Sequence, residues 1–253
     1  AEVLNRAFRG RAILGDPDYH DNPFDEILSD GYFDEMAQSI DIARAVQLEP
    51  LVDKAADDSK ETTQFSVLDA EGNAISLTVT LNGSYGSGVV SEKYGIPLNN
   101  EMDDFTTRPG EPNAYGLLQG IGNRVQPGKR PLSSMSPTLV EKDGKIVMTL
   151  GAAGGPWIIS SVIQTIYRVL VTGLDIDRAV QFPRVHHQFL PNRLFIDEFK
   201  FSPELVTGLQ QRGHEIMAYK PGWMGRIKAV RLNDRNYLEA SYDNRSEGAV
   251  GGY

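Results

Sequence analysis

Apolar residues in this chain follow two spacings, and the change from one to the other divides it. Near the start, Val3, Leu4, Ala7 and Phe8 recur at helical intervals, so the chain is expected to open within a helix. A polar loop runs from Leu14 to Phe24, and short helices are predicted at Asp25 to Leu28, Tyr32 to Ile40 and Asp41 to Val46. From Pro50 to Glu61 the residues are charged and without period, the composition of an exposed linker. Beyond that stretch the pattern turns to strands. Thr62 to Asp69 and Ala74 to Leu81 bracket the turn residues Ala70 to Asn73 and predict a β-hairpin. Thr138 to Lys142 and Lys145 to Leu150 predict a second, joined by Asp143 and Gly144, which tolerate positive φ.

The longest helix is predicted between Pro156 and Thr172. There Ile158, Ile159, Val162, Ile163, Ile166, Val169 and Leu170 form a broad apolar face, and Gly173 supplies the stop. Ser202 and Pro203 cap and start another helix that ends at Gly213. Further strands are predicted at Arg193 to Ile196, Glu215 to Ala218, Ile227 to Leu232 and Tyr237 to Ala240. Strands, then helices, then strands give an α+β chain with helices covering sheets, rather than a repeating βαβ unit.

Composition narrows the function classes. At 253 residues and 40% hydrophobic, the chain can bury a sizeable core. A net charge of -9 disfavours a nucleic-acid backbone or an anionic membrane as partner. With no cysteine there is no disulfide, thiol nucleophile or thiolate metal site. The first residues carry neither a start methionine nor a signal segment, which implies a processed or truncated product with its upstream part missing.

Candidate chemistry sits at a few places. Thr62 and Thr63 open the first hairpin. A threonine freed at its amine by cleavage of the Glu61–Thr62 bond carries both a nucleophile and its own base, although threonines also simply suit strand ends. Glu101, Asp103 and Asp104 lie within four residues, a cluster that could hold a cation or stand as a solvated turn. Ser133, Ser134 and Ser136 lie between two prolines. Gly154 and Gly155 lead into the long helix, where converging N–H groups favour negative charge; a tight strand-to-helix turn is the plainer account. Asp16, Asp18 and Asp21 lack the glycine and glutamate of a calcium loop and read as turn chemistry. His186 and His187 read as structural, and Trp157 and Trp223 as packing residues.

Together these strings resemble the γ-glutamyltranspeptidase family, the glutathione hydrolases of the N-terminal nucleophile hydrolase superfamily. They occur in order: Thr62-Thr-Gln-Phe-Ser66, Thr80-Leu-Asn82, Asn100-Glu-Met-Asp-Asp-Phe105, Pro131-Leu-Ser-Ser-Met-Ser-Pro137, Gly154-Gly155 and Arg184-Val-His-His187. The resemblance implies a four-layer αββα sandwich, with residues 1–61 as the tail and linker of a large subunit and 62–253 as the small, nucleophile-bearing subunit. It implies self-cleavage before Thr62, which then attacks the γ-glutamyl amide of glutathione and related compounds, with the ester passed to water or to an amino-acid or dipeptide acceptor. Thr80 would orient the Thr62 hydroxyl, and Gly154 and Gly155 would form the oxyanion hole. Asp104, helped by Asn82 and Glu101, would take the substrate α-ammonium, and Ser133 and Ser134 its α-carboxylate.

By the same resemblance Thr106 to Gly116 is a lid with Tyr115 as its gating aromatic, Gln64 stands where many relatives have histidine, and the main carboxylate-binding arginine lies in the upstream large subunit. None of Arg108, Arg124 or Arg130 sits in a motif that takes over that role. No metal or organic cofactor is implied; the partners are the γ-glutamyl substrate, its acceptor and the large subunit of the same precursor. A periplasmic or secreted home follows only from the habit of bacterial relatives. Two other readings stand beside this one: an unprocessed, non-catalytic scaffold that binds γ-glutamyl groups, and a related cephalosporin-type acylase.

Overall fold

The computed structural model describes residues 1–48, 62–108, 110–219 and 224–252. The linker expected between Pro50 and Glu61, and Trp223, lie outside these. In chain order the elements are α1 (Glu2–Arg11), α2 (Phe24–Ile27), α3 (Asp30–Gln38), β1 (Thr63–Leu68), β2 (Ala74–Val79), β3 (Thr138–Lys142), β4 (Lys145–Ala153), α4 (Trp157–Leu170), α5 (Ile176–Gln181), β5 (Val185–His186), β6 (Leu194–Asp197), α6 (Pro203–Gln211), β7 (Ile216–Tyr219), β8 (Arg226–Leu232) and β9 (Leu238–Tyr242). The chain divides into two compact units. Unit 1 comprises Ala1–Asp57, Glu101–Ser133 and Val185–Ala218, and unit 2 comprises Asp58–Asn100, Ser134–Arg184 and Tyr219–Tyr253.

Unit 2 is built on an antiparallel sheet of order β3-β4-β8-β9. Period-two alternation gives β4 two different faces. Met148, Leu150 and Ala152 point into a core with Ile158, Val162 and Val169 of α4, Ile176, Ala179 and Val180 from α5, and Ile227 and Ala229 of β8. The intervening Thr149 donates from Oγ1 to the Ile75 carbonyl at 2.8 Å, on the side of the β1-β2 hairpin. Ser76 and Ser66 return such bonds, to the carbonyls of Leu150 at 2.7 Å and Lys228 at 3.0 Å. Hydroxyl-to-backbone bonds thus join hairpin to sheet where the other face uses apolar packing. The hairpin's remaining face leaves Phe65, Val67, Ile75, Leu77 and Val79 exposed.

In unit 1, α1 buries Phe8 against His186, ring centres 5.4 Å apart and edge-on. The strands β5, β6 and β7 form a three-stranded sheet. Leu194, Phe195 and Ile196 of β6 are all buried. α6 starts as predicted, Ser202 Oγ accepting from the Leu205 amide at 3.3 Å.

Both hairpins and the long helix form where the spacing placed them. The helix expected from Asp41 to Val46 does not. Asp41 Oδ1 accepts from the Ala43 amide at 2.8 Å, making a side-chain turn, and the Ala45 amide pairs at 2.6 Å with the Arg212 carbonyl. Local side-chain bonding of this kind competes with helix formation.

Candidate active site

The register of the first hairpin positions Thr62. Thr63 pairs with Val79, so the residues just beyond, Thr62 and Thr80, stand opposite one another, where side chains on one face meet. Thr62 Oγ1 donates to Thr80 Oγ1 at 3.0 Å, and Thr80 Oγ1 also accepts from the Asn82 amide at 2.9 Å. The Thr62 hydroxyl is therefore aimed by a neighbour that is itself held from behind. Asn82 is buried with φ 73°, a left-handed conformation that asparagine tolerates. Its Nδ2 donates to the Asn100 carbonyl at 3.3 Å, and Asn100 Oδ1 accepts from the Gly83 amide at 2.7 Å.

Two residues after Thr62, the buried Gln64 fills the space over Gly151. Its Nε2 donates to the Phe65 carbonyl at 2.9 Å and to Ser66 Oγ and Ser76 Oγ, both at 3.1 Å, while Oε1 accepts from Thr78 Oγ1 at 2.5 Å. A Cβ at position 151 would lie 2.4 Å from Gln64 Oε1, so glycine is what lets this amide reach its partners. That hydrogen-bonded platform lies under the strand that presents Thr62.

Gly154 and Gly155 adopt φ 135° and 55°, and their carbonyls accept the Trp157 and Ile158 amides at 3.2 and 3.1 Å as α4 starts. A Cβ on Gly154 would come within 3.1 Å of Gly225 Cα. Behind Gly225 lies a buried charge cluster: Arg184 Nη1 donates to the Gly225 carbonyl and, at 2.6 Å, to Asp243 Oδ2. Arg245 Nη1 donates to Asp243 Oδ1 at 2.9 Å. Burial alone would raise the Asp243 carboxyl, but the two guanidiniums hold it below the usual range.

In unit 1 the acidic motif forms a 3-10 turn, Glu101–Asp104, with Asp104 buried. The Asp104 carbonyl accepts from Asn123 Nδ2 at 2.8 Å and from Asn113 Nδ2 at 3.4 Å. Asn113 also ties down the expected lid, its Oδ1 accepting from the Tyr115 and Leu117 amides, both at 3.0 Å. The Tyr115 carbonyl takes Gln188 Nε2 at 3.2 Å. Arg11, at the end of α1, donates to the carbonyls of Leu132 at 3.2 Å and Ser133 at 3.0 Å. Burial brings its guanidinium down to about 10 against the attraction of Asp104, so it stays cationic at neutral pH.

Arg130 is engaged elsewhere, donating from Nε to Asp16 Oδ2 at 3.0 Å and from Nη2 to Asp16 Oδ1 and Asp18 Oδ2, both at 2.5 Å. These bonds push the Asp16 carboxyl far below its usual range. The aspartates of the early polar loop thus hold an arginine. His186 and His187 are buried against amides, through Gln188 Oε1 at 3.0 Å and Asn192 Oδ1 at 3.2 Å. Trp157 packs on Tyr219, ring centres 4.5 Å apart.

Of the residues expected to act, Thr62, Thr80, Asn82, Ser134, Gly154 and Gly155 belong to unit 2, and Glu101, Asp104, Tyr115 and Ser133 to unit 1. Hydrogen bonds join Thr62, Thr80 and Asn82 within the first set. In the second, Asp104 is connected to the segment that carries Ser133 through Asn123. Sequence reading passed over Arg11, Asn113 and Asn123, isolated polar residues with no spacing to mark them.

A family profile described as Gamma-glutamyltranspeptidase matches residues 1–253. The chain is 40% identical to a glutathione hydrolase proenzyme of Escherichia coli over 97% of its own length and 42% of that protein's. It is 37% identical to one from Pseudomonas aeruginosa over 98% and 44%. It thus spans less than half the length of these curated relatives. A solved structure, a highly active mutant of γ-glutamyltranspeptidase from Pseudomonas nitroreducens, superposes with TM-score 0.71 at 39% identity, covering 76% of this chain and 98% of that one. A cephalosporin acylase from Bacillus halodurans shares the fold, with TM-score 0.81 at 22% identity over 100% of this chain and 44% of that one.

Proposed function

The chain belongs to the γ-glutamyltranspeptidase family, and from that membership we propose that it is the nucleophile-bearing part of a γ-glutamyl hydrolase and transferase acting on glutathione and related compounds. The observation that carries this is the aimed hydroxyl pair, Thr62 Oγ1 to Thr80 Oγ1 at 3.0 Å, at the start of the strand where the motif lies. In the precursor the Thr62 hydroxyl attacks the Glu61 carbonyl carbon. The peptide C–N bond breaks as the acyl group moves from nitrogen to oxygen, which frees the Thr62 amine, and water then cleaves the ester, releasing the Glu61 carboxylate and restoring the Thr62 hydroxyl.

In the mature protein that amine takes the hydroxyl proton as Thr62 attacks the substrate γ-carbonyl carbon. The Gly154 and Gly155 amides stabilise the oxyanion, a contribution of about 3 kcal/mol per donor in comparable sites. The leaving amine departs with a proton, and water or an acceptor amine resolves the γ-glutamyl ester. Asp104 takes the α-ammonium with Asn82 and Glu101, Ser133 and Ser134 take the α-carboxylate, and Tyr115 gates the pocket. Charge-assisted bonds to both ends select glutamate over a plain acyl group, which favours this reading over an acylase.

The large subunit of the same precursor is the partner, with residues 1–61 as its tail and linker. Thr62 to Tyr253 is 192 of the 253 residues, the same 76% share that the Pseudomonas nitroreducens chain covers, which supports a boundary at 61/62. The four-layer αββα sandwich is supported by the hairpin, sheet and helices of unit 2.

Intact mass and N-terminal sequencing of the full-length protein at neutral pH, beside Thr62→Ala, test this reading. The expected result is a new terminus at Thr62 in the parent alone, followed by turnover of a γ-glutamyl-anilide. An uncut parent that binds glutamate without turnover would leave only the scaffold reading.

A further inference from the structure

We propose that Asn123 is a positioning residue that sets the spacing between the group taking a substrate's α-ammonium and the group taking its α-carboxylate, an inference that rests on the γ-glutamyl reading above. Asp104 and Ser133 both belong to unit 1. Each lies in irregular chain, one ending a 3-10 turn and the other in a proline-flanked stretch, so no strand or helix ladder fixes one against the other.

Asn123 supplies that link. It is fully buried, and the two ends of its planar amide point to the two segments. Nδ2 donates to the Asp104 carbonyl at 2.8 Å, and Oδ1 accepts from the Leu132 amide, next to Ser133, also at 2.8 Å. Its backbone is anchored as well, the carbonyl accepting from the Thr106 amide at 2.9 Å and the amide donating to Gly120 at 3.2 Å. A side-chain amide presents a donor and an acceptor side by side in one rigid plane. Aspartate at the site would turn an acceptor toward the Asp104 carbonyl. Arg11 braces the same assembly from α1 through the Leu132 and Ser133 carbonyls.

In a γ-linked glutamate the ammonium and carboxylate share one carbon, so their separation is fixed. A spacing error between Asp104 and Ser133 weakens binding only when both charges are held at once. Such a loss is shared by ground state and transition state and shows in KM rather than kcat.

The experiment measures KM and kcat of the full-length protein and its Asn123→Asp and Arg11→Lys variants. Three anilides serve as probes: γ-glutamyl, glutaryl, which lacks the ammonium, and 4-aminobutyryl, which lacks the carboxylate. For Asn123→Asp, KM on the γ-glutamyl-anilide should rise about 10- to 100-fold, the size of one buried hydrogen bond lost. Both kcat and the low activity on the one-charge anilides should change less than about threefold. Arg11→Lys, whose shorter side chain ends short of the Nη2 that donates to both carbonyls, should show a smaller rise of the same pattern, and it carries the test if Asn123→Asp does not fold. An unchanged KM, or equal losses on all three anilides, overturns the positioning role. A wild type that turns over no γ-glutamyl-anilide overturns the function on which it rests.

Discussion

Replacing Thr80 by valine removes a hydroxyl while keeping the branched shape, which isolates what that oxygen contributes. Thr80 Oγ1 accepts two hydrogen bonds, from Thr62 Oγ1 at 3.0 Å and from the Asn82 amide at 2.9 Å. Each neutral bond is worth about 1 kcal/mol net, and an amide left buried without a partner costs a further 1 to 3 kcal/mol or so. Asn82 is buried, so Thr80→Val should destabilise the protein by about 3 to 5 kcal/mol. The share bearing on reaction is the orientation of Thr62, about 1 to 2 kcal/mol, or roughly 5- to 30-fold in rate. A time course of intact mass should show self-cleavage slowed by that factor, and the γ-glutamyl-anilide assay should show a matching fall in kcat. Thr80→Ser keeps the oxygen and should stay within about threefold of wild type. A valine variant that cuts and turns over at the wild-type rate would refute the orienting role, as would a serine variant as slow as valine.

Three other perturbations probe the support around the site. Gly151→Ala should displace Gln64 from its bonds and lower stability by about 1 to 3 kcal/mol in urea, and Gln64→Ala in the same chain should recover part of the loss. An alanine variant as stable as wild type would contradict this packing. Arg184→Met breaks a pair whose two side chains are fully buried; a loss of about 3 to 5 kcal/mol is expected, and one below about 1 would show that Arg245 alone satisfies Asp243. Burial lowers His186 to about 3 and His187 to about 4, below the free value of about 6.5. The unfolded chain therefore takes up protons first. Their contribution is complete above pH 6.5 or so and is lost as pH falls, by up to about 1.4 kcal/mol per unit for each histidine down to roughly pH 4. Urea midpoints at pH 7 and pH 5 measure that slope, and a flat profile would refute it.

The sequence made the hairpins legible because alternation and turn residues agree, and the face-to-face placement of Thr62 and Thr80 then follows from register alone. The motif strings pointed to Asp104 and Ser133 but not to what holds them. Asn123 and Arg11 bond to main-chain carbonyls and an amide, partners that any residue offers and no pattern marks. α5 was missed because it is only six residues long; a cap, Asp175 Oδ1 accepting from the Arg178 amide, starts it, and tertiary burial of Ala179 and Val180 sustains it. The helix expected at Asp41 failed for the converse reason, a good local composition outbid by a tertiary bond to Arg212.

The shared volume of Gln64 and Gly151 has an evolutionary side. A side chain at 151 and a glutamine at 64 claim the same space, so what stands at one position limits the other. A lineage that gains a larger residue at 151 must first accept a shorter one at 64, and one that changes 64 while keeping glycine must refill the hydrogen bonds of Thr78, Ser66 and Ser76. The measurable trace of this contact in related sequences is covariation between positions 64 and 151.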